Sequence, residues 1–145
     1  MNQKSFYVDT CIYLNLWQKE GNKIFGVPYW KFAKDFFEKF EKSFIIYYSG
    51  FILKELKFIL SEKEFNNKMR LFEISPNFIR IKLSLEEFNQ ARKIERASNY
   101  RLSFYDIIHM LLAKKTNSIL ITRDKKLLKT SKKFSVIAKK PEQLL

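Results

Sequence analysis

The sequence predicts an α/β fold, a mainly parallel sheet sandwiched between two helical layers. Three observations predict it: short β-prone runs alternate with amphipathic stretches, most of those stretches open on a Ser, Thr or Asp cap, and no Gly- or Pro-rich linker interrupts the series. With 145 residues, three glycines and three prolines, the chain reads as one domain over 1–145, large enough to bury a core without a disulfide.

The elements follow in order. Ser5–Asp9 reads as a short buried strand ending on a carboxylate. Thr10 is placed to cap a helix running from Cys11 to about Lys19, with Ile12, Tyr13, Leu16 and Trp17 at helical spacing. Gly21 and Gly26 punctuate a loop. Pro28 sits in the first turn of a second helix, whose apolar face carries Tyr29, Phe32, Ala33, Phe36, Phe37 and Phe40. That face is wider than a small core needs, so the first two helices are expected to offer surface to a partner segment or a second subunit.

Phe44–Tyr48 is a continuous β-prone run, the pattern of a strand covered on both faces. Ser49 caps the next helix, with Leu53, Leu56, Ile59 and Leu60 expected inward. Ser61 opens another helix, from Glu62 to about Glu73, and Phe78–Leu83 forms a third strand. Ser84 and Glu87 have capping-box spacing at the head of a helix to about Ser98. Ser103 and Asp106 repeat that spacing before the apolar helix from Ile107 to Lys115. Ser118–Thr122 is a fourth strand, Asp124 starts a short basic helix with Leu127 and Leu128, Phe134–Ile137 is a fifth strand, and a turn of helix closes the chain from Pro141.

Lys and Arg number 28 against 15 Asp and Glu, a net charge of +13. Such an excess favours polyanionic partners, since neutralising phosphates releases counterions. The most apolar run, Phe44–Leu53, is too short to span a membrane. One lone cysteine, Cys11, and no signal-peptide core after Lys4 suit a reducing cytoplasm. There is no phosphate-cradling glycine loop, nucleophile elbow or zinc-ligand spacing.

Only four aspartates occur, Asp9, Asp35, Asp106 and Asp124. In a parallel sheet ligands bind beyond the carboxyl ends of the strands, where strand order reverses. Asp9 and Asp124 stand at or just past such ends, Asp106 heads the helix before the fourth strand, and Glu55 lies about two turns into the helix after the second. Crowded carboxylates repel one another, and a divalent cation removes that cost. Oxygen ligands without a His or Cys cluster select Mg2+ or Mn2+, and one or two such ions suit phosphodiester hydrolysis. Each acid also has an ordinary role open to it: Asp9, Asp106 and Asp124 as helix caps, Glu55 on a solvated face. His109, the lone histidine, one turn after Asp106, is expected as a packed residue on an apolar helix, with a general-acid role as the alternative.

Four motifs in order resemble the PIN-domain family: Tyr7-Val8-Asp9-Thr10, the stretch SGFILKEL ending at Leu56, LSFYDIIHMLLA from Leu102 to Ala113, and ILITRD ending at Asp124. The resemblance implies a three-layer α/β/α sandwich with a parallel five-stranded sheet of order 3-2-1-4-5. It also implies an acidic pocket binding Mg2+ or Mn2+ through Asp9, Glu55, Asp106 and Asp124. Thr122 is implied to orient a water or phosphate oxygen, and Thr10 is a second polar position beside the first aspartate. Many members are ribonucleases, including VapC-like toxins of type II toxin–antitoxin pairs, and many are homodimers. The implied activity is a metal-dependent endoribonuclease acting on single-stranded RNA, with RNA and an antitoxin as partners; the alternative is a non-catalytic RNA- or protein-binding module. Where some members carry a further acid after the last aspartate, Lys125, Lys126 and Leu127 follow here, which leaves the number of ions open. Arg123, Lys125, Lys126 and Lys129 surround Asp124, placed to grip RNA phosphates or simply to form a solvated helix end.

Overall fold

The computed structural model describes residues 5–21 and 26–145; the segment around Lys4 and the loop interior between Gly21 and Gly26 lie outside the described residues. Five strands form one sheet: β1 (Ser5–Val8), β2 (Ile45–Tyr48), β3 (Phe78–Arg80), β4 (Ile119–Ile121) and β5 (Ala138–Lys139). Their order is β3-β2-β1-β4-β5, with every pairing parallel. Among the described residues seven α-helices connect them: α1 (Thr10–Trp17), α2 (Tyr29–Phe40), α3 (Gly50–Ile59), α4 (Glu62–Ile74), α5 (Leu85–Ala97), α6 (Phe104–Lys115) and α7 (Lys125–Ser131). This is the three-layer α/β/α sandwich that the alternation of elements predicts, with the expected strand order.

The central strand shows why there are three layers. Every residue of β1 is buried, and successive side chains point to opposite faces. Phe6 meets Phe36 and Phe40 of α2 with ring centroids 5.0 and 4.9 Å apart. Tyr7, on the other face, lies against His109 of α6 at 5.4 Å. A second aromatic group, Tyr13, Phe37, Phe72 and Phe78, joins α1, α2 and α4 to β3. On β2, Ile46 and Tyr48 are buried while Ile45 and Tyr47 are half-buried, so one face of that strand is less fully covered than its uniform hydrophobicity suggests.

Local caps behave as the sequence predicts at Ser61 and Ser84, where complete capping boxes form with Glu64 and Glu87. Such a cap stabilises a helix by about 1 kcal/mol. Gly21 admits the Val27 carbonyl, which a Cβ would meet at 2.6 Å.

Five expectations need correction. The N-cap of α1 is Asp9, and Thr10 is already helical. The third strand stops at Arg80 rather than Leu83. The fifth strand is Ala138–Lys139 and not Phe134–Ile137: Lys132–Phe134 is a turn of 3-10 helix and Ser135 adopts a left-handed φ of 59°. That turn inserts Val136 into the core and delays pairing with β4 until residue 138. On α3 Leu56 is buried as expected, with Leu60 at its C-cap, and Ile52 joins them, whereas Ile59 is 51% exposed. Finally, no residue of α2 is an exposed large hydrophobic; its aromatic face meets Phe6 and Phe44, and the most exposed large apolar side chain among the described residues is Phe58 near the end of α3, 91% accessible. No helix among the described residues is long and apolar enough to cross a membrane.

Candidate metal centre

Asp9 lies where β1 ends beside β4, the point at which strand order reverses. Its N–H donates to the Ile121 carbonyl at 2.9 Å, continuing the ladder by one residue. Asp9 is buried, its side chain 11% exposed. Its Oδ1 accepts from Thr10 N at 2.8 Å; its Oδ2 accepts from the Thr122 hydroxyl at 2.7 Å and from the Cys11 thiol at 3.4 Å. Thr122 is fully buried, and its oxygen accepts from Asp124 N at 3.1 Å. The two threonines therefore hold carboxylates in place: Thr122 holds Asp9, and Thr10 donates its hydroxyl to Glu55 Oε1 at 3.1 Å.

Glu55 reaches the same place from α3. Ser49 fixes the start of that helix by accepting from Ile52 N. Besides Thr10, Glu55 Oε1 contacts His109 Nε2 at 2.7 Å. The His109 ring is 1% exposed, and its Nδ1 lies 2.7 Å from the Tyr7 hydroxyl, itself 2.7 Å from Ser49 Oγ. One ligand atom each from Asp9, Glu55 and His109 lie within 4.8 Å of one another.

Asp106 and Asp124 complete the acidic wall from the heads of α6 and α7. Ser103 Oγ accepts from Asp106 N at 3.1 Å, the forward half of the predicted capping box. Asp124 Oδ1 accepts from Lys126 N and Leu127 N at 2.9 and 3.0 Å, so it caps α7 while standing exposed. All four acids line one cleft of about 410 Å³, together with Thr10, Cys11, Leu14, Ile59 and Arg123. The cap reading and the cleft reading thus describe the same side chains.

Charge in the cleft is unbalanced. Burial, then the charges of Asp124 and Asp9, push the Asp106 carboxyl above the ordinary aspartate range. Burial alone would lower the basicity of His109, but the bond to Glu55 and the charges of Asp9, Glu55 and Asp106 outweigh it and raise the ring's proton affinity. Burial raises the Tyr7 hydroxyl well above its usual range, so it keeps its hydrogen. Burial and then Asp9 likewise raise the Cys11 thiol, leaving it a neutral donor rather than a thiolate ligand. Carboxylate oxygens that raise one another's proton affinity suit a hard divalent cation, and the donor set of this cleft fits one.

Arg123 is engaged elsewhere. Its Nη1 and Nη2 donate to the two carboxylate oxygens of Glu142 at 2.8 and 2.7 Å, its Nε donates to Asn15 Oδ1 at 3.2 Å, and the guanidinium lies 4.1 Å from the Tyr29 ring centroid. Lys125, Lys126 and Lys129 stand exposed around Asp124. The residue against these acids that its local sequence pattern does not single out is His109. Its one signal was position: three residues after Asp106, it falls on the same face of the same helix.

The PIN-domain family model matches residues 6–133. No curated protein matches the chain by sequence. Among solved structures, VapBC2 from Rickettsia felis bound to a DNA fragment from their promoter aligns with TM-score 0.64 at 16% identity, over 94% of this chain and 98% of that one. FitAcB from Neisseria gonorrhoeae aligns with TM-score 0.62 at 15% identity over the same shares. PAE2754 from Pyrobaculum aerophilum aligns with TM-score 0.52 at 18% identity, over 99% and 95%. These likenesses are of fold. Taken with the family match over most of its length, they agree with the strand order and the acidic cleft: the chain belongs to the PIN-domain family.

Proposed function

We propose that this protein is a Mg2+- or Mn2+-dependent endoribonuclease that hydrolyses phosphodiester bonds of single-stranded RNA. The observation that carries the reading is the convergence of Asp9, Glu55, Asp106 and Asp124 on one cleft, where Asp106 is burdened by its neighbours' charge. These four residues would hold the cation. When bound, it supplies Lewis-acid polarisation of a phosphoryl oxygen and activation of a water.

The chain's own residues prepare that site. Thr122 fixes the Asp9 carboxylate and Thr10 fixes Glu55, so neither acid has to be ordered when substrate arrives. Lys125, Lys126 and Lys129 stand beside Asp124 and are the side chains proposed to hold RNA phosphates. Arg123, locked to Glu142, instead buttresses the wall of the cleft. The net charge of +13 favours a polyanion as substrate. The family membership, with the fold likeness to VapBC2 and FitAcB, favours a place as the toxin of a type II toxin–antitoxin pair with an antitoxin as protein partner, and with it we propose a cytoplasmic homodimer.

The test is cleavage of a labelled, unstructured RNA oligonucleotide. The reading predicts cutting with Mg2+ or Mn2+, none with EDTA, and loss of at least a hundredfold in Asp9→Asn and Asp106→Asn of unchanged fold (roughly, from the weight of one charge-stabilising group). Protein that binds the RNA but leaves it intact under every metal condition would instead mark a non-catalytic binding module.

A further inference from the structure

The geometry points to His109 as a positioning residue: it donates a hydrogen bond from Nε2 to Glu55, oriented by Tyr7 and Ser49, and does not itself ligate the cation. The importance given to Glu55 rests on the metal-centre reading above; the hydrogen-bond ring does not.

The ring begins and ends on one helix. Ser49, the N-cap of α3, contacts the Tyr7 hydroxyl on β1; Tyr7 contacts His109 Nδ1 on α6; and His109 Nε2 contacts Glu55, back on α3, each at 2.7 Å. Three chain segments far apart in sequence are thereby locked to the side chain that enters the cleft. An ionised carboxylate only accepts, so the hydrogen between His109 and Glu55 belongs to Nε2. With a neutral ring the remaining contacts run one way: Ser49 Oγ accepts from Ile52 N and donates to Tyr7, and Tyr7 donates to Nδ1. Each hydroxyl is used once as donor, and no charge on the ring is required.

Three further observations favour positioning over ligation. His109 meets Glu55 at 2.7 Å but Asp9 only at 4.0 Å, so the ring addresses one acid rather than the centre of the group. It is 1% exposed, behind the carboxylates rather than beside them in the cleft wall, which His109 does not line. And the same Glu55 oxygen, Oε1, takes the bonds from both His109 and Thr10, while no described residue bonds to Oε2. One oxygen is tethered and the other left for the cleft. Partners that orient a ligand in this way typically change metal affinity about 10–100-fold when removed.

His109 is the only histidine of the chain, so a 15N-labelled sample gives a single set of imidazole resonances. At pH 7.5 without metal the proposal predicts a hydrogen on Nε2, an Nε2 shift that moves in Glu55→Gln, and an Nδ1 shift that moves in Tyr7→Phe. A bare Nε2 with the hydrogen on Nδ1, as a metal-ligating ring would carry, overturns it. In Mn2+ titrations of the folded protein, His109→Gln, whose amide still donates, is expected to bind within a few-fold of wild type, and His109→Leu about tenfold more weakly. Equal loss in both variants, or no loss in either, contradicts positioning. Where His109→Leu does not fold, Tyr7→Phe takes its place, with weakened Mn2+ binding expected although Tyr7 touches no acid. Wild-type protein that takes up no Mn2+ refutes the metal-centre reading, while the imidazole spectrum still decides the role of His109.

Discussion

Thr122 donates its hydroxyl hydrogen to Asp9 Oδ2 across 2.7 Å, joining residues 113 positions apart in the chain. The contact exists because β1 and β4 are neighbours in register, Val8 beside Ile121, so the residues just past both strands meet. Thr122→Val keeps the shape and removes the donor from a carboxylate on a buried residue. The expected cost is about 1–2 kcal/mol of stability, read by urea denaturation, with Thr122→Ser restoring most of it. Equal midpoints for wild type and the valine variant would mean that the bond contributes nothing.

Asp106 gives a prediction of opposite sign. Its carboxyl is raised by burial and by the charges of Asp124 and Asp9. An acid raised in the fold stabilises fully below its unfolded value, near 3.8, and that contribution is lost as pH rises through the folded value. At pH 7 in EDTA, Asp106→Asn is therefore expected to melt above wild type, by about 2 °C. Added Mg2+ should then raise wild type and leave the variant where it is. A variant that melts lower in EDTA would show that the cleft is not electrostatically strained.

Arg123 and Glu142 tie the loop after β4 to the chain's final turn, with side chains 10% and 28% exposed. Burial alone would raise the Glu142 carboxyl, but the bonds from Arg123 outweigh it and lower it below its ordinary value of 4.5. A depressed acid contributes stability that is present above 4.5 and lost as pH falls through the folded value. Removing the guanidinium in Arg123→Leu should cost about 2 kcal/mol at pH 7, below the fully buried figure because Glu142 keeps some access to water. The difference from wild type should shrink at pH 3. Arg123→Lys is expected to recover little, since a single ammonium cannot reproduce the two-pronged contact.

The lysines near Asp124 carry a different signature. Lys125, Lys126 and Lys129 are exposed, so their replacement by alanine should leave stability within about 0.5 kcal/mol. If they hold phosphates, each substitution weakens RNA binding and lowers the slope of log affinity against log salt by about 0.7. Fluorescence anisotropy at several salt concentrations measures both. Unchanged slopes would return these lysines to the role of a solvated helix end.

Much of this architecture could be read before any coordinates, because it rests on local signals. Strand runs such as Phe6–Val8 and Ile119–Ile121, and caps such as Ser61 and Ser84, carry their structure in neighbouring residues. What local pattern misjudged was decided by distant partners. Val136 and Ile137 have strand propensity, yet pairing with Leu120 falls on Ala138 after the left-handed turn at Ser135. The aromatic breadth of α2 reads as spare surface, yet Phe6 of β1 and Phe44, just before β2, pack against it and Arg123 covers Tyr29. The acids were visible as residues near strand ends, and the fold brings them to one cleft. His109 was undervalued because its partners, Tyr7 and Glu55, lie 102 and 54 residues away, beyond any spacing rule.

At the centre of the proposed activity is one divalent cation shared by acids from four separate segments of chain. Electron paramagnetic resonance of Mn2+ measures this directly, because the six-line signal of the free ion falls as protein binds it. Saturable loss of that signal with wild type, and its persistence with Asp9→Asn and with Asp124→Asn of intact fold, is the predicted result. A signal unaffected by wild-type protein, or equally depleted by all three proteins, would contradict it.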